Sequence, residues 1–321
     1  MTPRDAWLHL RNTLAHPPGA AAVTDHRQSD LYVSCIQQFE QLVAAAGAIA
    51  AHARPLPLYY AAMHAAKALA AAFGSTHNPR GHGLKQGSRP VPPDVMEFKI
   101  KPDDSSSVLS VLCEVTDSGV IEQPVRLGDL FLSLPDLGEK PHDVHGPCAF
   151  YVEEVPEDLS LYPVTDPILH VLIETRGRQP EAQGSTYPTL KGWFNETAGG
   201  GLINSRRQLA PRFGREVEFT NRSAALQDLA PTYRFSGERW LIPKVEGSSD
   251  VLSPLVTWYA LLFGFSILAR YEPDTWLHAL DIRQRHAVAI EAALEEAAAA
   301  LPELVWKHIA TKVAEAGLAA E

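Results

Sequence analysis

Cysteine is scarce. Cys35, Cys113 and Cys148 are the only three in 321 residues, too few and too scattered for a disulfide framework, and their odd number leaves at least one thiol unpaired. That usage suits a reducing compartment, so cytoplasmic residence is the expectation. Basic charge is also short. Twenty-eight Lys and Arg face 38 Asp and Glu, and the formal net charge of −10 excludes a general polyanion binder, whose affinity needs a basic surface that releases counterions. A local basic groove stays open. The opening stretch MTPRDAWLHLRNTLAHPPG lacks the uninterrupted apolar run of a signal peptide, so export by that route is not expected. Also missing are G-x-S-x-G, a Rossmann glycine string, H-E-x-x-H and the P-loop order, which removes the usual support for several enzyme classes. With none of them present, no cofactor is expected. No fixed-period repeat is visible, which excludes a solenoid.

Long apolar runs are rare too. The one window that raises the membrane question is VLSPLVTWYALLFGFSILARY, Val251 to Tyr271, since about 20 apolar residues span a bilayer. It carries Pro254, Thr257, Ser266 and Arg270, and it reads as a buried core helix. No membrane partner is expected.

What is present falls into three stretches. From Ser29 to Phe73 apolar residues recur at three- and four-residue steps, as in Leu31, Cys35, Phe39 and Leu42, predicting two long helices, the second starting after Pro55 and Pro57. From Pro90 to Val245 short runs (MEFKIKP, SVLSVLCEV, CAFYVEEV, ILHVLIETR, EVEFTNR, RWLIPKV) punctuated by Pro, Gly and Asp read as strands. VRLGDLFLSLPDL interrupts them as a short helix, and Gln179 to Leu202 reads as a long loop. After Ser248 helices return, with Pro302 expected to break the last one. The fold class expected is α+β: a helical bundle assembled from 1–90 and 248–321, with a β-rich insertion over 91–247. Two helices alone rarely bury enough apolar area, which favours joining the terminal portions.

Candidate sites follow from spacing. Tyr60, His64 and Lys67 stand at i, i+4 and i+7 of one helix and share a face, while Tyr59, Met63, Ala66 and Ala70 share another that suits a core. The adjoining loop GSTHNPRGHGLKQGSRP holds Arg80, His82 and Lys85 among glycines whose backbone can approach a phosphate. Together these six residues suit an anionic ligand. The plainer alternative is a polar helix seam beside a tight turn. HDVHGPC offers His142, His145 and Cys148, but a structural zinc site wants four ligands and no C-x2-C partner is present, so no metal site is expected. Arg270 reads first as a cation at a helix C-terminus stopped by Pro273.

LPLYYAAMHAAKALAAAFG followed by GHGLK, then VRLGDLFLSLPDL, RWLIPKV and SPLVTWYALLFGFSILARYEPDTW, resembles the YaaC-like family in several segments occurring in order between Leu56 and Trp276. A looser resemblance is to HEPN domains, helical bundles in which a tyrosine- and alanine-rich helix bearing lysine precedes a turn such as GHGL. That second resemblance implies a HEPN-like bundle that pairs as a homodimer. In members that cleave RNA it also implies an Arg-x4–6-His motif. Arg4 with His9 and Arg11 with His16 have the spacing, but lie before the first long helix, and with 13 histidines in the chain such pairs arise by chance. The late pair, Arg270 and His278, has seven residues and a proline between its members and departs from the motif; were it catalytic, histidine would move a proton while arginine steadied phosphate charge. The expected function is a binding or interaction module. The alternative is a metal-independent ribonuclease or nucleotide-binding effector in stress or phage defence, with RNA or a nucleotide as partner.

Overall fold

Capping side chains and prolines set the helix starts in the computed structural model, which describes residues 2–20, 26–103, 107–138, 144–152, 168–169, 172–174, 202–204, 207–208, 233–235 and 238–318. Helix α1 (Pro3–Asn12) opens on Thr2, whose hydroxyl accepts from the Asp5 backbone N–H while the Asp5 carboxylate accepts from that of Thr2, a reciprocal cap. Helix α2 (His26–Gly47) packs along α3 (Pro55–Phe73), which begins on a proline. Alanines Ala61, Ala62, Ala65, Ala68, Ala71 and Ala72 of α3 are all buried, and their small side chains let neighbouring helices approach closely.

The next elements are β1 (Leu84–Gln86), a 3-10 turn (Val95–Glu97), β2 (Lys99–Pro102), α4 (Val108–Val115), β3 (Val125–Arg126), α5 (Leu127–Leu132) and α6 (Pro135–Gly138). Strands β1, β2 and β3 form a three-stranded antiparallel sheet, with Gln86 opposite Ile100 and Ile100 opposite Val125. Helix α4 is a correction, because the sequence pattern predicts SVLSVLCEV as a strand. Ser107 caps it, accepting from the Ser110 N–H at 3.2 Å, and the polar residues Ser107, Ser110 and Glu114 recur at helical steps. A short, mostly apolar run does not reveal its period, and here the cap decides.

The chain divides into two units, Met1–Gly146 with Val245–Glu321, and Pro147–Lys244. The first therefore joins the chain's two helical ends, and it also keeps 91–146, which the shift in composition assigns to the insertion. Its centre is α7 (Pro254–Tyr271), followed by α8 (Pro273–Ala279) and α9 (Ala287–Leu318). Helix α7 is long and apolar enough to cross a membrane, yet 78% of it is buried inside the fold. Trp258, Tyr259, Leu261, Leu262 and Phe265 have no exposed surface. Gly264 lets α5 close in, because a Cβ there would meet Leu127 Cδ2 at 2.4 Å. Helix α9 runs through Pro302 without the expected break. Losing one backbone donor is costly, but the buried Leu301, Leu304 and Val305 keep both halves docked.

In the second unit, β4 (Phe150–Val152) and β9 (Tyr233–Phe235) flank β10 (Glu238–Leu241), all antiparallel, with Trp240 opposite Tyr151 and Tyr233. Strands β5 (Ile168–Leu169) and β8 (Arg207–Gln208) pair, as do β6 (Leu172–Glu174) and β7 (Leu202–Asn204). The fold is α+β. The expected strand EVEFTNR and all but the end of the expected loop lie outside the described residues.

Candidate functional site

The G-H-G turn is held in place from three sides. Gly81 and Gly83 both take positive φ, 73° and 81°, a conformation that excludes most side chains. A Cβ on Gly83 would lie 2.2 Å from Ser107 Oγ. The carbonyls of Gly81 and Gly83 accept from the backbone N–H groups of Val108 and Asp103. The third tie is to the core: Tyr259 donates its hydroxyl to the His82 carbonyl at 2.8 Å, and Tyr59 Oη lies 2.5 Å from His82 Nδ1. The two phenol oxygens are 3.4 Å apart, and Phe263 packs edge-on against Tyr59.

Proton accounting limits the arrangement to two tautomers. Because the Tyr259 proton goes to a carbonyl, its oxygen is left as an acceptor. If Nδ1 is protonated it donates to Tyr59, Tyr59 donates to Tyr259, and His82 Nε2 is a lone pair. If instead Tyr59 donates to Nδ1, Nε2 carries the proton and is a donor. The first suits proton abstraction and the second suits anion binding.

Positive charge gathers around this histidine. Burial first, then the charges of Arg270 and Lys67, hold the His82 imidazole below the usual histidine range. The same cause, with Lys67 second, depresses His64, whose Nδ1 is buried without a hydrogen-bond partner among the described residues. Lys67 also acts on the buried Cys35 of α2, whose thiol burial pushes up to about 11. Arg270 donates from Nε to the Ser266 carbonyl at 3.1 Å and from Nη2 to Ser266 Oγ at 3.5 Å, and its guanidinium lies 5.1 Å from the Tyr271 ring centroid. Among the described residues no carboxylate pairs with Lys67 or Arg270. Tyr60, His64, Lys67, His82 and Arg270 are all half-buried.

The remaining candidates, Arg80, Lys85 and His278, are exposed. Lys85, on β1, pairs with Asp103 at 3.3 Å. His278 is exposed on α8, where its charge acts on Asp281; no hydrogen bond joins it to Arg270. Among the earlier Arg and His pairs, Arg11 is bound to Glu40 and His9 stacks on Trp306. No group of three His, Cys, Asp or Glu able to hold a metal occurs among the described residues. His145 faces Arg285 at 2.9 Å, and His142 lies outside the described residues.

Tyr59 and Tyr259 are site residues that sequence spacing does not find. The helix face of Tyr59 points to the core, and Tyr259 lies inside the apolar run. The signal available is chemical: a phenol in an otherwise apolar helix needs a partner for its hydroxyl. A separate cavity of about 780 Å³, mostly apolar, lies at the other end of α3 and is lined by Phe73, Trp306, Ile309 and Val313 among others. Its charged wall residues Lys312 and Glu114 are already engaged, by Asp117 and Ser75.

The family model described as YaaC-like Protein matches residues 9–309. The chain belongs to the YaaC-like family. The match spans the α3 seam, the G-H-G turn and α7, so the site lies within the YaaC-like region. Comparison with curated proteins and with solved structures returned no match.

Proposed function

We propose that this YaaC-like chain is a binding module that captures an anionic, phosphate-bearing ligand in the seam between α3, α7 and the G-H-G turn. The observation that carries this reading is that Lys67 and Arg270, two half-buried cations without a carboxylate partner among the described residues, each act on His82 of the G-H-G turn. A bound anion would supply both cations with a counter-charge and charge-assisted hydrogen bonds. His64 adds a half-buried imidazole on the same face of α3 as Lys67. Charge-assisted hydrogen bonds of this type contribute about 1.5–3 kcal/mol each. Calorimetric titration with inorganic phosphate and pyrophosphate tests it: wild type binds, and Lys67→Met and Arg270→Met each weaken binding roughly ten- to a hundredfold. Absence of binding by wild type at millimolar anion sinks the reading.

One observation favours a second reading, metal-independent RNA cleavage on the same residues. Tyr59 contacts the His82 imidazole, Tyr259 holds its backbone carbonyl, and burial with nearby cations lowers the ring's proton affinity, an arrangement that suits a general base with an orienting group. Digestion of total RNA in chelator, abolished by His82→Ala, would support it. No cleavage removes it and leaves the binding module. The HEPN-like character of the bundle belongs to this second reading.

A further inference from the structure

We infer that the phosphate-bearing ligand of this seam is a nucleotide, with its base stacked on Tyr271. The inference rests on the proposed anion site and extends it from charge to ligand class. Arg270 anchors itself through Nε and Nη2 on Ser266, which leaves Nη1 without a partner among the described residues. The same guanidinium lies over the Tyr271 ring, 5.1 Å from its centroid. Arg270 therefore links an anion-binding seam to an aromatic face at the next residue. Tyr271 is 64% exposed, at the end of a helix that is otherwise almost wholly buried. Most of its surface lies outside the core, where a planar group can reach the part of the ring that Arg270 does not cover.

An aromatic ring backed by a guanidinium and adjoining a phosphate site is the minimal equipment for holding a nucleotide: the cations take the phosphate and the ring takes the base. Stacking of this kind does not discriminate strongly among bases, because every base has a π-face. A free nucleoside monophosphate and the 5′-phosphorylated end of a single strand share this chemistry.

The test compares inorganic phosphate, ribose 5-phosphate, AMP, UMP and a 5′-phosphorylated hexa-adenylate by calorimetric titration of the full chain. AMP and UMP bind about five- to a hundredfold more tightly than ribose 5-phosphate. Tyr271→Ala brings AMP down to the level of ribose 5-phosphate, and Tyr271→Phe, which keeps the ring, retains the difference. Equal affinity of AMP and ribose 5-phosphate overturns the nucleotide inference while leaving the anion site standing. Loss of all binding in wild type overturns both. A base preference that survives Tyr271→Ala overturns the assignment of the ring. A hexa-adenylate that binds more tightly than AMP identifies a strand end as the ligand, and the reverse identifies the free nucleotide; both support the inference.

Discussion

The hydroxyl of Tyr259 donates to the carbonyl of His82 at 2.8 Å across a sequence separation of 177 residues. This bond ties the buried middle of α7 to the G-H-G turn, and with the bonds from Val108 and Asp103 it fixes the backbone that carries the imidazole. Tyr259→Phe keeps the ring packing and leaves the carbonyl without its donor, which costs roughly 1–3 kcal/mol. Urea unfolding should register that as a lower midpoint at unchanged slope. Tyr59→Phe acts on the other side, removing the partner of Nδ1, and should give a loss of similar size. The two losses should not add, because both residues act on one turn.

Removing either cation should be visible directly at His82. Its imidazole is held below the usual range by burial, then by Arg270, then by Lys67. Titrating the ring protons by NMR, Arg270→Met should raise the His82 pKa more than Lys67→Met, and the double variant should raise it further. A bound phosphate should produce the same upward movement in wild type by offsetting both charges. An unmoved His82 in all three cases would show that the cations lie too far away to matter.

The fold is legible where period and punctuation agree. Proline at the first turn of α3 and α7, with three- and four-residue apolar steps, locates both helices, and the joining of the chain's ends follows from the need to bury them. SVLSVLCEV misleads because the run is short and two thirds of it is apolar, and only the spacing of Ser107, Ser110 and Glu114 betrays the helical step. Pro302 misleads because local chemistry argues for a break while packing on both sides of it, invisible in sequence, holds α9 together. At the site, spacing along one helix places Tyr60, His64 and Lys67 on one face. The approach of Arg270 is a tertiary event. No pattern could supply it, nor could the loop's basic look reveal that Lys85 is paired with Asp103.

Two groups shifted by burial, the buried Asp136 and the half-buried His308, should tilt stability against pH in opposite directions. Burial first, with Glu296 and Glu303 nearby, pushes the Asp136 carboxyl up to about 7, although Trp258 Nε1 donates to it at 3.3 Å. Between about 4 and 7 the unfolded chain ionises Asp136 and the folded chain does not, so this group removes stability as pH rises through that window. His308, pushed down to about 4 by burial and then Lys312, has its unfolded pKa near 6.5. Here the unfolded chain holds the extra proton, and stability is lost as pH falls from about 6.5 to 4. In wild type the two slopes partly cancel. Asp136→Asn should be more stable than wild type by roughly 2–4 kcal/mol at pH 7, with the gain vanishing near pH 4. His308→Leu should flatten the acid side instead. Thermal unfolding between pH 4 and 7.5 reads both, and a pH-independent difference for either variant would refute its assignment.

Glycine substitutions separate what the turn requires from what a helix merely tolerates. Gly83 has φ of +81° and its missing Cβ would strike Ser107 Oγ at 2.2 Å and Leu109 Cβ at 2.7 Å. Gly83→Ala therefore combines backbone strain with a clash against the capped start of α4, and a cost of about 2–4 kcal/mol is expected. Because the turn carries His82, the ring should also lose its place: its NMR pKa should drift toward the ordinary value and phosphate binding should weaken. Gly47, at the end of α2, would have nothing within 4 Å of an added Cβ, and its φ is not positive. Gly47→Ala should raise stability by roughly 0.4–1 kcal/mol, chiefly by restricting the unfolded chain, and leave the His82 titration untouched. If the two variants proved equally harmless, the G-H-G turn would not be the rigid support on which the site depends.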